Sequence, residues 1–198
     1  MIVRTISLTL PVILLSTLFL SACSSTPTSL KLTPNLNDNI TINKVEKNQK
    51  WLLDSKDFRT ARYLIAISAG DDVATLVNES ISTRISVEKL LQNHWTKQGY
   101  RFTDNQGNSH QIEVQLIKLL AEVEQGTLSH ETDINVIIKI QLNSDKSTFS
   151  KTFRSHYEEK AAFSADVEVL ATQLNTQLSQ LLDQIVQDPE LNDKLLQL

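Results

Sequence analysis

Ile134, Val136, Ile138, Ile140 and Leu142 put an apolar side chain at every second position of one segment. Successive side chains of a strand point to opposite faces, so this period commits the segment to one buried and one solvated face. Its neighbours continue the theme. Phe149, Lys151, Phe153, Ser155 and Tyr157 form the inner row of a following strand, beyond a turn at Asn143-Ser144-Asp145-Lys146. The preceding segment, Gln111 to Glu124, has Ile112, Val114 and Leu116 in one phase and Ile117, Leu119, Ala121 and Val123 in the other, before Gln125-Gly126 turns the chain. A slip of one residue exchanges the faces of a strand, so the phase change predicts a β-bulge beside Leu116. Three long strands joined by short turns predict an antiparallel meander.

A meander with one apolar face needs a cover. From Phe163 through Val167, Leu170, Leu174, Leu178, Leu181 and Ile185 the apolar spacing is three or four, the period of a long helix. Asp188-Pro189 reads as an N-cap with proline at the first helical position, opening a short last helix whose apolar side is Leu191, Leu195, Leu196 and Leu198. Upstream, Ile85, Val87, Leu90, Leu91, His94 and Trp95 recur as one helix face that Gly99 ends. Arg62 to Ser68, apolar on both faces, suits a central strand, and Ala69-Gly70-Asp71-Asp72 turns it into Val73 to Val77. Ile40 and Ile42 alternate with Thr41 and Asn43, which predicts a first, half-buried strand. The expected fold is α+β: a two-layer sandwich, a mostly antiparallel sheet with two helices on one face.

The N-terminus reads as an address. Arg4 is the one charged side chain among the first 22 residues, and an apolar run from Ile6 to Leu20 follows it. That run contains Pro11, has no basic stop behind it and is shorter than the ~20 apolar residues a spanning helix needs, so it reads as a secretory signal. Leu20-Ser21-Ala22-Cys23 resembles the bacterial lipobox, and Cys23 is the only cysteine of the chain. The resemblance implies cleavage before Cys23, diacylglycerol on its thiol and acylation of its new amino group. Ser24 follows instead of Asp, which by the same resemblance implies sorting to the outer membrane of a Gram-negative cell, facing the periplasm. The expected organisation is a signal peptide over 1–22, a lipidated cysteine and flexible tether over 23–39, and a periplasmic domain over 40–198. Fully extended, 24–39 would reach roughly 50 Å. A short strand at Leu30-Lys31-Leu32 is the alternative that would dock part of it.

Chemistry is sparse along the chain. Nineteen Lys and Arg against 23 Asp and Glu, with no basic cluster, argue against a nucleic-acid partner. His94, His110, His130 and His156 have no ligand spacing among them; His156 beside Glu158 and Glu159 reads as a solvated strand end rather than a metal site. Neither a Gly-x-Ser-x-Gly elbow nor a phosphate-binding glycine loop is present. Asp71, Asp72, Glu122, Glu124, Glu158 and Glu159 are available carboxylates, but no context pairs them across a cleft. No cofactor is implied. If helices cover one sheet face, the other carries Thr148, Ser150, Thr152, Arg154 and His156, with Asp133, Asn135, Ile137, Lys139 and Gln141 beside them. That face, or an open sheet edge, is the candidate binding surface, and simple solvation is the plainer reading of it.

The lipobox, the Asp57-Phe58-Arg59-Thr60 turn, Gly99-Tyr100, Gln125-Gly126 and Phe153-Arg154-x-x-Tyr157 leading to Ala162-Phe163 together resemble the YajG family of bacterial lipoproteins. The resemblance runs over nearly the whole mature chain and brings no catalytic residues with it. With no catalytic constellation in the chain, the expected role is that of a non-enzymatic lipoprotein of the outer membrane, held there by its lipid and binding or scaffolding an envelope protein. The alternatives are an envelope enzyme such as a cell-wall hydrolase, and a lipid-carrying module. Converging carboxylates in a deep cleft would favour the first, and an apolar cavity between helices and sheet the second.

Overall fold

The structure, a computed structural model, describes residues 27–42, 44–45, 50–105, 107 and 110–198. In chain order these residues form β1 (Ser29–Leu30), β2 (Lys50–Asp57), β3 (Tyr63–Ser68), β4 (Thr75–Glu79), α1 (Thr83–Gln98), β5 (Arg101–Phe102), β6 (Gln111–Gln125), β7 (Ser129–Asn143), β8 (Thr148–Ala162), α2 (Val167–Gln187) and α3 (Pro189–Gln197). The meander is present. Strand β7 pairs with β6 and β8 in antiparallel register along its full length. Leu116 faces Ile138 and Lys118 faces Ile137, so Ile117 is the extra residue of the bulge. Beyond it Leu119, Ala121 and Val123 are buried in place of the even-numbered row, with Leu120 buried between them.

The sheet as a whole departs from expectation. It has eight strands and is mixed, not mostly antiparallel. Strands β2 and β3 lie one after the other along the same edge of β6, both parallel to it; Asp57 is opposite Leu116 and Ile65 opposite Ala121. The chain spends eight residues between Asp57 and Ile65 where β6 spends five, and the excess is the 58–62 corner. Parallel neighbours need a crossover, and α1 supplies it between β4 and β6. Strand β4 then pairs antiparallel with β3, while β1 and β5 add short parallel pairs at β4 and β2.

Strand β2 stands where no strand is expected, and residues 40–42 form none. The reason is local chemistry. Trp51 and Leu52 are buried in succession, and Ser55 turns a hydroxyl inward, so β2 lacks a clean period of two. Helix α1 satisfies that polarity: Arg84 Nη1 donates to the Ser55 carbonyl at 2.9 Å, and Ser55 Oγ bonds Glu88. Ile42, by contrast, is exposed.

The apolar face of the sheet is covered by α1 and α2, and the short third helix packs on α2. Helix α2 lies over β6, β7, β8 and β3, and α1 over β2. The α2 stripe of Val167, Leu170, Leu174, Leu178, Leu181 and Ile185 is buried as the spacing predicts. Phe163, expected at its head, lies outside the helix and is exposed. On α1 the buried positions are Thr83, Val87, Leu91, His94, Trp95 and Gln98, and Ile85 sits off that face, exposed. Asp166 caps α2 by accepting from the Glu168 and Val169 amides, and Asp188 caps α3 by accepting from Leu191, as its Asp-Pro sequence predicts.

Candidate functional site: the strapped sheet and its uncovered face

Leu20, Ser21, Ala22, Cys23 and Ser24 lie outside the described residues. The segment read as a tether does not hang free over its described part. Ser29 and Leu30 pair with Asn78 and Glu79 of β4, and Leu32 is buried in the core. The next residues lie along α2 as a strap. The amides of Thr33, Asn35 and Asn37 donate in turn to Asn175 Oδ1 (2.9 Å), Ser179 Oγ (3.2 Å) and Asp183 Oδ1 (2.9 Å). Two residues of extended chain advance about 6.6 Å and four residues of helix about 6 Å, so an every-second amide meets an every-fourth side chain. Pro34 falls between bonded positions, where the strap needs no donor. The docking alternative therefore describes this segment, although its strand is Ser29–Leu30 and not Leu30-Lys31-Leu32, and three residues, 24–26, separate Cys23 from Pro27.

The residues that carried the resemblance are joints of the fold. Arg59, with its side chain 1% exposed, closes the 58–62 corner. Its Nε and Nη2 donate to the two oxygens of Asp57 at 3.0 and 2.8 Å, and Nη2 also donates to Glu79 Oε1 at 2.6 Å. Glu79 Oε2 accepts from the Thr83 amide at 3.0 Å, serving the start of α1, where Ser82 makes no side-chain cap. Burial works against the Arg59 charge, but the bonds from Asp57 and Glu79 outweigh it and hold the guanidinium above its ordinary value. Asp57 is held below the usual carboxylate range, first by its hydrogen bond to Arg59, with burial opposing. Gly99 ends α1 at φ 108, where an added Cβ would meet the Val45 carbonyl oxygen at 2.2 Å. Gln125 stitches two turns together, donating to the Gly126 carbonyl at 2.8 Å and accepting from the Ala165 amide at 2.8 Å. Phe153 and Tyr157 point inward, and the Tyr157 hydroxyl donates to Glu159 at 3.1 Å.

The outer face of the meander carries the expected residues. Thr148, Ser150, Arg154 and His156 are exposed along β8, with Asn135, Ile137, Lys139 and Gln141 half-buried beside them on β7. Glu122, Asp133 and Glu158 stand directly opposite one another across β6, β7 and β8. Like charges facing across strands are unfavourable, and neighbours relieve them here. His156 approaches Asp133 at 3.3 Å and Glu158 at 3.2 Å, and Lys118 bonds Glu122 at 3.0 Å. Glu122, Glu124, Glu131, Asp133, Glu158 and Glu159 line a shallow depression of about 650 Å³. This is an open surface, not a cleft with two facing walls. Among the described residues no group of three His, Cys, Asp or Glu is placed to hold a metal ion. The helix side is filled instead: Leu174, Leu178, Leu181, Ile134, Ile138 and Ile140 are fully buried where α2 meets the sheet. Strand β8 is paired on one edge only, with no described strand on the other. The sequence suggested an open edge but not which strand would form it, because pairing order is a property of the assembled sheet.

Comparison with known proteins places this architecture. The profile of a family described as "uncharacterized lipoprotein" matches residues 34–196. The uncharacterized lipoprotein YajG of Escherichia coli K12 is 25% identical over 187 residues, covering 91% of this chain and 92% of its own. The same protein from E. coli O6:H1 matches equally. A crystal structure of a Xanthomonas campestris protein of family DUF330 superposes with a TM-score of 0.56 at 12% identity, over 80% of this chain and 92% of that one; the likeness is one of fold. Among the described residues no helix is long and apolar enough to cross a membrane. With the family profile running from Pro34 in the strap through β2 to β8 and into α3, the chain belongs to the YajG family of lipoproteins.

Proposed function

We propose that this protein is anchored by lipid on Cys23 to the periplasmic face of the outer membrane. There it works without catalysis, as a binding or accessory subunit for an envelope protein. The observation that carries this reading is the division of the sheet. Its inner face is packed under the helices, whereas its outer face is polar and its last strand, fifteen residues long, has one edge that no described strand pairs. An open edge offers main-chain donors and acceptors to an added strand, and alternate side chains set its specificity. The alternating polar row from Thr148 to Lys160 keeps that edge soluble until a partner covers it. Membership of a lipoprotein family and the complete Leu20-Ser21-Ala22-Cys23 motif support the anchor. Confinement near a membrane raises the effective concentration of partners held there.

The anchor is tested by mass spectrometry of the mature N-terminal peptide together with membrane fractionation. Triacylated Cys23 in the outer-membrane fraction is expected, with Cys23→Ser releasing a folded domain into the soluble periplasm. An unmodified Cys23, or a Cys23→Ser protein that stays with the membrane, would overturn it.

A further inference from the structure

Three large apolar side chains stand uncovered at one end of the sheet. Val73, in the β3–β4 connection, is 97% exposed; Leu128, in the β6–β7 turn, is 77% exposed; Phe163, just after β8, is 76% exposed. The register brings them together. Ser68 of β3 is opposite Glu124 of β6, and Ser129 of β7 is opposite Ala162 of β8, so all three connections leave the sheet at the same end. With strands about 4.8 Å apart, the row from Val73 to Phe163 is roughly 15–20 Å long.

Phe163 is held there against its own backbone preference. At φ 68 it is the one non-glycine with positive φ among the described residues, a conformation rare for a bulky side chain. The turn fixes it. Its amide donates to the Leu128 carbonyl at 2.8 Å, and its own carbonyl accepts from His130 Nδ1 at 3.0 Å and Gln125 Nε2 at 3.4 Å. Glycine would serve that backbone better; phenylalanine adds only an aromatic ring in solvent.

A second, independent observation says what covers these tips. Strand β1 runs parallel to β4 with Ser29 opposite Asn78, so the chain before Ser29 enters from the Thr75 end of β4, which is this same end. Cys23 is four residues before Pro27, about 13 Å of extended chain. A lipid on Cys23 thus draws this end to the bilayer, not the far end with the β7–β8 turn. We propose that Val73, Leu128 and Phe163 form a membrane footing that enters the interfacial layer of a phospholipid bilayer and stands the sheet on end. The β8 edge and the polar outer face then project into the periplasm. The footing rests on the lipid anchor proposed above and adds an orientation to it.

The charges around the tips choose the lipid. Asp71 and Asp72 precede Val73, Glu124 and Glu131 are paired at the same end of β6 and β7, Asp166 and Glu168 open α2 just after Phe163, and Lys160 is bonded to Glu131. Binding is therefore apolar, and suits zwitterionic rather than anionic headgroups.

The test uses the full-length acylated protein in phosphatidylcholine vesicles. Cys23 is the only native cysteine, so Val73→Cys, Leu128→Cys, Phe163→Cys and, at the far turn, Asp145→Cys each provide a single free thiol for an environment-sensitive fluorophore. Probes at the three tips are expected to shift to the blue and to be quenched several-fold by nitroxide-labelled lipid, with the probe at 145 unquenched. Replacing a third of the lipid by phosphatidylglycerol is expected to reduce the quenching. In a separate variant, Phe163→Gly is expected to keep or raise the melting temperature; a fall would assign the ring a role in the fold instead. Protein that floats with the vesicles while all three tips stay unquenched overturns the footing, leaves the anchor standing and gives the tips to a protein partner. Protein that does not float at all overturns the anchor and the footing together.

Discussion

Arg59 shows how one side chain can hold three elements. It links the end of β2 through Asp57 to the end of β4 through Glu79, whose second oxygen serves the first turn of α1. Arg59→Ala would leave two largely buried carboxylates facing each other without a cation, and removing one partner of such a cluster costs about 3–5 kcal/mol. Urea unfolding is expected to show a loss near the lower end of that range. Asp57 adds a pH dependence of known sign. Its folded value lies below the ordinary 3.8, so the stability it contributes is complete above that value and is lost as pH falls through the folded one. His94 acts in a different window. Burial, with Lys97 assisting and Asp183 opposing, holds its imidazole below the ordinary 6.5. On acidification the unfolded chain takes up that proton first, so the folded domain loses stability from about pH 6.5 down to the folded-state value. Its Nε2 is buried without a hydrogen-bond partner among the described residues. His94→Leu is therefore expected to flatten the melting temperature between pH 7 and pH 5.5; an unchanged slope would contradict this.

Among the elements, the strap makes the most specific claim. Its three amide bonds go to side chains on one face of α2, so a joint Asn175→Ala, Ser179→Ala, Asp183→Ala variant should release the strap and leave α2 folded. Hydrogen exchange at Thr33, Asn35 and Asn37 is expected to speed up by an order of magnitude or more, with the amides of β7 unchanged. Gly99 sets the other end of α1. Gly99→Ala combines a left-handed backbone with a clash against the Val45 carbonyl, and is expected to cost about 2 kcal/mol or more in thermal or urea unfolding. Elements whose burial is periodic were legible from sequence. The meander, the bulge beside Leu116, the α2 stripe and the Asp188 cap all follow from side-chain spacing. Strand β2 was not legible, because its inward Ser55 is satisfied by Arg84 and Glu88 from a helix thirty residues away. Nor were the parallel pairings of β2 and β3 with β6, since short strands with mixed faces do not declare their neighbours. Phe163 fitted the helical spacing and still lies outside the helix, because Asp166 starts α2 three residues later. Of the candidate site, the polar face was legible as an alternation, while the free edge of β8 and the strap emerge only from the assembled sheet.

At the scale of the molecule the parts have one orientation. The chain enters β1 from the end where Val73, Leu128 and Phe163 are exposed, the strap runs on from there along α2, and the helices close the inner face of the sheet. The uncovered surface is the outer face and the long edge of β8. On this reading the β8 edge binds a protein, and the lipid brings it there. The most direct measurement is photo-crosslinking in cells, with probes at Thr148, Ser150, Arg154 and His156 on β8 and at Thr172 and Thr176 on the exposed side of α2. One dominant protein adduct is predicted from the β8 positions only, strongly reduced when Cys23→Ser frees the domain. Adducts that form equally from α2, or that persist unchanged in the freed domain, would contradict it.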